Sequence, residues 1–288
     1  MNQREQSARV QDLRIGTVVG QATVRSVVHR GRLATVYRGE IGDHDVAIKI
    51  YRVTPLHSAQ RIDRERIAQQ QVDHPCVARL VEWGTLTDGA MFLTSQWIDG
   101  VPFNQRLEQG PIAWEDLRPI ARDVSKGLMA LHAAGIIHRD IKPSNIVLPN
   151  AAHETAVLLD LGHALLLDQE RLTGTGLVLG SATYMAPEQT GGKTVDERAD
   201  LYSLGVVLYE ALTGSPPFVA NSPARVMRLH QTEAVESPRL RAIDLPIPQA
   251  ADDLCMWLLA KSPAARLPSA RVLTIALTSI DQPEEKVA

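Results

Sequence analysis

Long apolar runs, clustered cysteines and one-sided charge are all missing from this 288-residue chain, and each absence removes a class of function. No stretch approaches the ~18 consecutive apolar residues that a membrane-spanning helix needs. The polar N-terminus, MNQREQSARVQ, also lacks the apolar core of a secretory signal. The expectation is a cytoplasmic protein with no membrane span. Cys76 and Cys255 stand in unrelated contexts without C-x-x-C spacing, which argues against a disulfide framework or a zinc site and leaves two reduced, half-buried thiols. Net charge is −3 and no block of Lys or Arg stands out, so the electrostatic footprint of a nucleic-acid binder is absent. What is there, 44% hydrophobic and 22% charged residues without repeats or low-complexity tracts, is the composition of an ordinary globular protein.

The chain changes character near residue 98. Before it, short β-type runs (TVRSVVH, ATVYRGE, DVAIKIY, VARLVEWG, MFLTSQWI) alternate with turn residues, and Gly42-Asp43 and Asp88-Gly89 mark hairpins. SAQRIDRERIAQQQ, rich in good helix formers, predicts one helix crossing this β region. After it, Ile120, Val124, Leu128 and Leu131 recur at close to 3.6 spacing and stop at Gly135, with Pro119 near the start of that helix or kinking it. ADLYSLGVVLYEALTG, DDLCMWLLAK and ARVLTIAL continue the helical pattern. The expected fold is α+β and bilobal: a small antiparallel β lobe with one helix over residues 13–98, and a larger, mainly helical lobe over 99–280. Flexible tails are expected at 1–12 and 281–288.

The densest polar cluster is HRDIKPSN, His138 to Asn145. An acid five residues before an amide, with a lysine between them and a proline stiffening the chain, suits phosphoryl transfer to a hydroxyl. Asp140 would accept or orient the hydroxyl proton, Lys142 would neutralise the moving phosphoryl group, and Asn145 would supply a metal ligand. Downstream, the apolar run Ala156 to Leu159 reads as a strand delivering Asp160, with Gly162 freeing the turn that follows. Asp160 is then a second metal ligand, bridging Mg²⁺ to a triphosphate.

Together these residues resemble the signature set of the protein kinases, specifically the eukaryotic-like Ser/Thr kinases of bacteria, over about Leu13 to Ile280. VAIK, Val46 to Lys49, resembles the strand whose lysine holds the α and β phosphates, and Glu65 falls where the family places that lysine's partner. Taken alone, Lys49 reads better as an exposed strand lysine and Glu65 as a partner of Arg61; the downstream motifs reverse that preference. Ala186-Pro187-Glu188 stands for the family's A-P-E, Asp200 for the acid anchoring the catalytic loop, and Arg266 for the partner of Glu188. The resemblance implies Mg²⁺-ATP (or Mn²⁺-ATP) between the lobes. It assigns nucleotide contacts to His29, Gly31, Val36, Ala47, Lys49, Glu65, Ser95 at the gatekeeper position, Gln96, Trp97 at the hinge beside Ile98, and Val147. Lys142, with Gly180-Ser181 before Tyr184, resembles Ser/Thr rather than Tyr kinases, and the acceptor is expected to be a protein.

Two departures stand out. Aligned on Val36, the G-x-G-x-x-G-x-V loop maps to His29, Gly31 and Ala34, so one glycine survives of three. Gln69, four residues after Glu65, replaces the family's usual apolar residue in the column with Leu80, His138 and Leu161. The expectation is a weakened loop and a working enzyme; the alternative is a pseudokinase-type scaffold. A small-molecule phosphotransferase would share the Asp140–Asn145 spacing but not Lys142 or A-P-E. Regulation is expected at Thr173 and Thr175, with Arg139 placed to bind a phosphothreonine, through autophosphorylation in a homodimer. TGGKT at Thr190 and HETAV at His153 imitate a P-loop end and a zinc-protease motif, but Pro187 and Val157 occupy the defining positions. His132 and His163 read as ordinary core or surface histidines.

Overall fold

In the computed structural model, which describes residues 13–31, 34–51, 59–150, 155–161, 165–166, 182–190 and 194–279, the β-type runs form one six-stranded antiparallel sheet. Its strands are β1 (Val18–Val19), β2 (Ala22–Arg30), β3 (Ala34–Ile41), β4 (His44–Tyr51), β5 (Leu80–Thr85) and β6 (Met91–Gln96), in the order β1-β2-β3-β4-β6-β5. The helix α1 (Ala59–Gln71) falls between β4 and β5 as expected. Gly42 adopts φ 58° in the two-residue turn joining β3 to β4, and Gly89 φ 86° in the β5–β6 connection, conformations that favour glycine.

Strand alternation sorts the side chains. Val24, Tyr37, Val46, Ile48, Ile50 and Phe92 form one buried cluster. On the opposite face, Ala34, Tyr51 and Leu93 pack with Ile62 of α1. Two register shifts in β2, between Val24 and Ser26 and between Val27 and His29, re-aim its C-terminal half so that His29 pairs with Val36.

The second unit comprises residues 71–78 and the chain from Ile98 onward. It contains β7 (Gly100–Pro102), α2 (Phe103–Leu107), α3 (Trp114–Ala133), β8 (Ile136–Ile137), β9 (Ile146–Pro149), β10 (Val157–Leu158) and β11 (Leu165–Leu166). After these come α4 (Arg198–Thr213), α5 (Pro223–Thr232), α6 (Pro238–Arg241), α7 (Gln249–Leu258) and α8 (Ala270–Ser279). The small strands form a β10-β9-β7 sheet and a β11-β8 pair. At two to four residues each, they are too short for a readable alternation, and only β10 was expected.

Pro119 lies inside α3, five residues past its first residue, so the helix begins earlier than the Ile120 pattern implies. Its buried stripe runs through Leu117, Ala121, Val124, Leu128 and Leu131, while Ile120 is only half-buried. Gly135, at φ 72°, follows the helix end as the stop signal requires. The helix α4 buries thirteen residues and has almost no polar face, the pattern of a central core helix. Ser222 and Ser237, each followed by proline at the first helical position, cap α5 and α6 through side-chain oxygens. Both cysteines are fully buried rather than half-buried. Cys76 lies against Gly127, where an added Cβ would come within 2.9 Å of the Cys76 carbonyl oxygen.

Candidate active site

In the first unit, strand pairing brings the predicted nucleotide residues onto one face. Val36 pairs with Lys49, Ala47 with Ser95, and His29 with Val36, and paired residues in an antiparallel ladder point the same way. Val36, Ala47, Lys49 and Ser95 are half-buried, in contrast to the closed core on the opposite face. Lys49 Nζ donates to Glu65 Oε1 at 2.8 Å and lies 5.2 Å from the centre of the Tyr51 ring. Glu65 is therefore a buried partner of Lys49, and the side chain of Arg61 lies outside the described residues. Gln96, the last residue of β6, is exposed, and Arg38 lies 4.9 Å from the centre of the half-buried Trp97 ring.

The surviving loop glycine has a steric reason. Gly31 N–H donates to Ala34 O at 2.9 Å, and a Cβ on Gly31 would sit 3.0 Å from that oxygen and 3.4 Å from His29 Nε2. Gln69 is buried, and its Oε1 has no hydrogen-bond partner among the described residues. Burying an unsatisfied amide oxygen costs about 1–3 kcal/mol. Gln69→Met, which keeps the shape and removes the polar atoms, is expected to raise the thermal midpoint; an unchanged or lower midpoint would refute this.

In the second unit, the 138–145 loop folds around Asp140. Lys142 Nζ lies 2.5 Å from Asp140 Oδ2, and Asn145 Nδ2 donates to Asp140 O at 2.9 Å and to Oδ2 at 3.1 Å. That orientation leaves Asn145 Oδ1 as a hard oxygen donor. Asn145 O accepts from Leu159 N–H at 2.8 Å, and His138 Nε2 donates to Leu159 O at 3.1 Å. Both polar groups of Leu159 are thus held just before Asp160. Asp160 and Arg139 are the two non-glycine residues with positive φ among the described residues, at 58° and 65°. Strained backbone of this kind gathers at functional sites. An Asp carboxylate plus an Asn amide oxygen fits Mg²⁺, which binds few protein oxygens and keeps several waters. Val147 is buried in β9, opposite Pro102 of β7.

Asp200, fully buried near the start of α4, anchors the loop. Its Oδ1 accepts from Arg139 N–H at 2.7 Å, and its Oδ2 accepts from His138 N–H and from His132 Nε2, both at 2.8 Å. Burial pushes this carboxyl up, but the His132 hydrogen bond, the charges of His132 and His138 and the Arg139 amide hold it below its ordinary value. His132 is therefore part of the loop's support and not an ordinary core residue. The signal that could have found it is its place in the last turn of the helix leading into HRDIKPSN.

Glu188 and Arg266 form a bidentate pair at 2.6 and 2.8 Å. Arg266 also donates to the carbonyls of Ala260, Lys261 and Arg198, so all five guanidinium protons have acceptors, and the group lies 4.8 Å from the centre of the Tyr202 ring. Tyr184 OH donates to Glu210 Oε2 at 2.7 Å. Thr173, Thr175, Gly162, His163, Gly180, Ser181 and His153 lie outside the described residues.

Sequence reading also missed His230 of α5, which is completely buried. Its Nε2 donates to Thr183 O and its Nδ1 accepts from Tyr202 OH, each at 2.8 Å. Burial, reinforced by the Lys261 ammonium and opposed by the Thr183 carbonyl, pushes this imidazole down to about 4. The unfolded chain takes up the same proton near 6.5, so the stability present at neutral pH is lost as pH falls from 6.5 towards about 4. Over that window the loss is about 3 kcal/mol. Urea midpoints at successive pH values should show His230→Gln losing less stability than the wild type; parallel losses would refute the assignment.

Residues 23–276 match the family model described as protein kinase domain. The chain is 31% identical over 283 residues to the serine/threonine-protein kinase pkn3 of Myxococcus xanthus, covering 94% of this chain and 52% of that one. It is 33% identical over 274 residues to the serine/threonine-protein kinase PknH of Mycobacterium bovis, covering 92% of this chain and 45% of the relative. To the serine/threonine-protein kinase PkaB of Streptomyces coelicolor it is 35% identical over 260 residues, with 85% and 60% covered. The chain thus spans about half the length of the curated relatives it matches. With an antiparallel β unit carrying the Lys49–Glu65 pair, a helical unit carrying the Asp140 loop, and a kinase-domain match across both, the chain belongs to the protein kinase family.

Proposed function

We propose that this chain transfers the γ-phosphoryl group of ATP to serine or threonine hydroxyls of proteins. The observation that carries this reading is the Asp140 carboxylate, held at 2.5 Å from Lys142 and 3.1 Å from Asn145 on a loop anchored by buried Asp200. Asp140 orients the acceptor hydroxyl and takes its proton as the oxygen attacks, while Lys142 neutralises charge on the phosphoryl group in transit. Lys49, steadied by Glu65, binds the α and β phosphates. Gly31, His29 and Val36 cover the phosphates, Ala47, Ser95, Gln96 and Trp97 line the adenine side of the β unit, and Val147 is the helical unit's own candidate nucleotide contact. Asn145 and Asp160 would hold a divalent ion, Mg²⁺ or Mn²⁺, which would supply positive charge to neutralise the phosphate oxygens. The lobes are taken as residues 13–98 and 99–280.

Regulation follows from the same chemistry. Phosphorylation of Thr173 and Thr175 in trans, within a homodimer, would place new anions for Arg139 to bind. The test is intact and peptide mass spectrometry after incubation with Mg²⁺ and ATP, with and without casein. Phosphate on Ser or Thr of the chain or of casein is expected. Nucleotide binding without phosphate transfer to either would move the reading to a scaffold, which the intact Lys49–Glu65 pair and Asp140 network weigh against.

A further inference from the structure

Gln189 sits half-buried at the third position of the 3₁₀ turn Pro187–Thr190. Its Oε1 accepts from Ala186 N–H at 2.8 Å, the reach-back half of a capping box. With that oxygen committed, Nε2 donates to the Arg139 carbonyl at 3.1 Å. A flipped amide would set its oxygen against that carbonyl, so the two bonds fix one orientation.

The carbonyl matters because of what shares its plane. The peptide unit joining Arg139 to Asp140 is planar, so its oxygen, its N–H and the Asp140 Cα move together. Its N–H edge donates to His138 Nδ1 at 3.3 Å, and its oxygen edge accepts from Gln189. Arg139 holds φ 65°, a left-handed conformation that costs a non-glycine residue about 1–2 kcal/mol, so the unit does not keep this orientation unaided. Asp200 pins the preceding amide through Arg139 N–H at 2.7 Å.

We propose that Gln189 is a positioning residue for phosphoryl transfer: through the Arg139 carbonyl it fixes the peptide plane that aims Asp140, and so ties the 182–190 segment to the catalytic carboxylate. This deepens the proposed function and rests on Asp140 being the proton-accepting group. The role requires a side chain that accepts and donates at once. An ionised glutamate only accepts; a protonated one recovers a donor.

The test compares the full chain with Gln189→Glu and Gln189→Met under steady-state kinetics with ATP and casein between pH 6 and 8.5. Gln189→Glu keeps the bond to Ala186 and is expected to lower kcat about tenfold, equal to ~1.4 kcal/mol, with KM for ATP unchanged. A glutamate with the ordinary value of about 4.3 stays ionised over this range, so the deficit should hold from pH 6 to 8.5. Gln189→Met, which loses both bonds, should likewise lower kcat and leave KM for ATP unchanged. A kcat for Gln189→Glu within twofold of wild type, or a loss confined to KM, would overturn the proposal. Amide hydrogen exchange provides an arm independent of turnover: the Asp140 amide should exchange faster in both variants, and unchanged exchange rejects the positioning role. Undiminished turnover in Asp140→Ala would instead reject the Asp140 reading, so the two failures are distinguishable.

Discussion

Asp140→Ala is expected to lower phosphoryl transfer by roughly 100- to 10,000-fold while leaving nucleotide affinity within about twofold of wild type. The size follows from removing the group proposed to accept the proton, and the unchanged affinity from the Lys49–Glu65 pair belonging to the β unit. Asp140→Asn should lose almost as much, because the amide keeps the contact with Lys142 in shape but cannot take a proton at neutral pH. Rates from single-turnover transfer of labelled phosphate, beside nucleotide titration by calorimetry, check both halves. A variant that lost affinity and rate together would indicate collapse of the 138–145 loop rather than loss of proton transfer.

Arg266→Ala is expected to destabilise the helical unit by about 3–5 kcal/mol, because it leaves the Glu188 carboxylate buried without its partner. At this chain length that is a fall in thermal midpoint of about 10 °C. The loss exceeds the worth of the pair itself. Replacing both partners together, Glu188→Leu with Arg266→Met, should cost less than Arg266→Ala alone, since neither charge is then stranded. Differential scanning calorimetry of the three proteins decides the matter, and equal losses for the single and double variants would contradict it. Carbonyls of Ala260, Lys261 and Arg198 lose donors in every Arg266 variant, so the double variant is not expected to match wild type.

Much of the candidate site was legible because its chemistry is local. Asp140, Lys142 and Asn145 lie within HRDIKPSN, and the structure joins them through contacts across two and five positions. The partnership of Lys49 and Glu65 spans sixteen positions and was legible only through the resemblance, since Glu65 has Arg61 one helical turn away. The supports of the loop were not legible. His132 meets Asp200 across 68 positions, Gln189 meets Arg139 across 50, and His230 meets Thr183 across 47. No residue spacing encodes such meetings; they exist because the tertiary fold brings the 138–145 loop, the 182–190 segment, α4 and α5 together. The short strands β7 to β11 escaped for a related reason, since tertiary pairing creates them and periodicity does not.

The sequence by itself determined the two kinds of unit, the hairpin turns at Gly42 and Gly89, the helix stop at Gly135, and the identity of the acid, lysine and amide in the loop. These depend on backbone preference, apolar period and side-chain chemistry, which act over a few residues. Only the tertiary structure decided that the β2 register shifts put His29 on the face of Val36, that Gln69 is buried with an unsatisfied oxygen, and that Asp200, His132 and Gln189 meet around the 138–145 loop from different elements. Orientation of a side chain and removal of its water depend on which distant segments close around it, and a linear pattern does not carry that information.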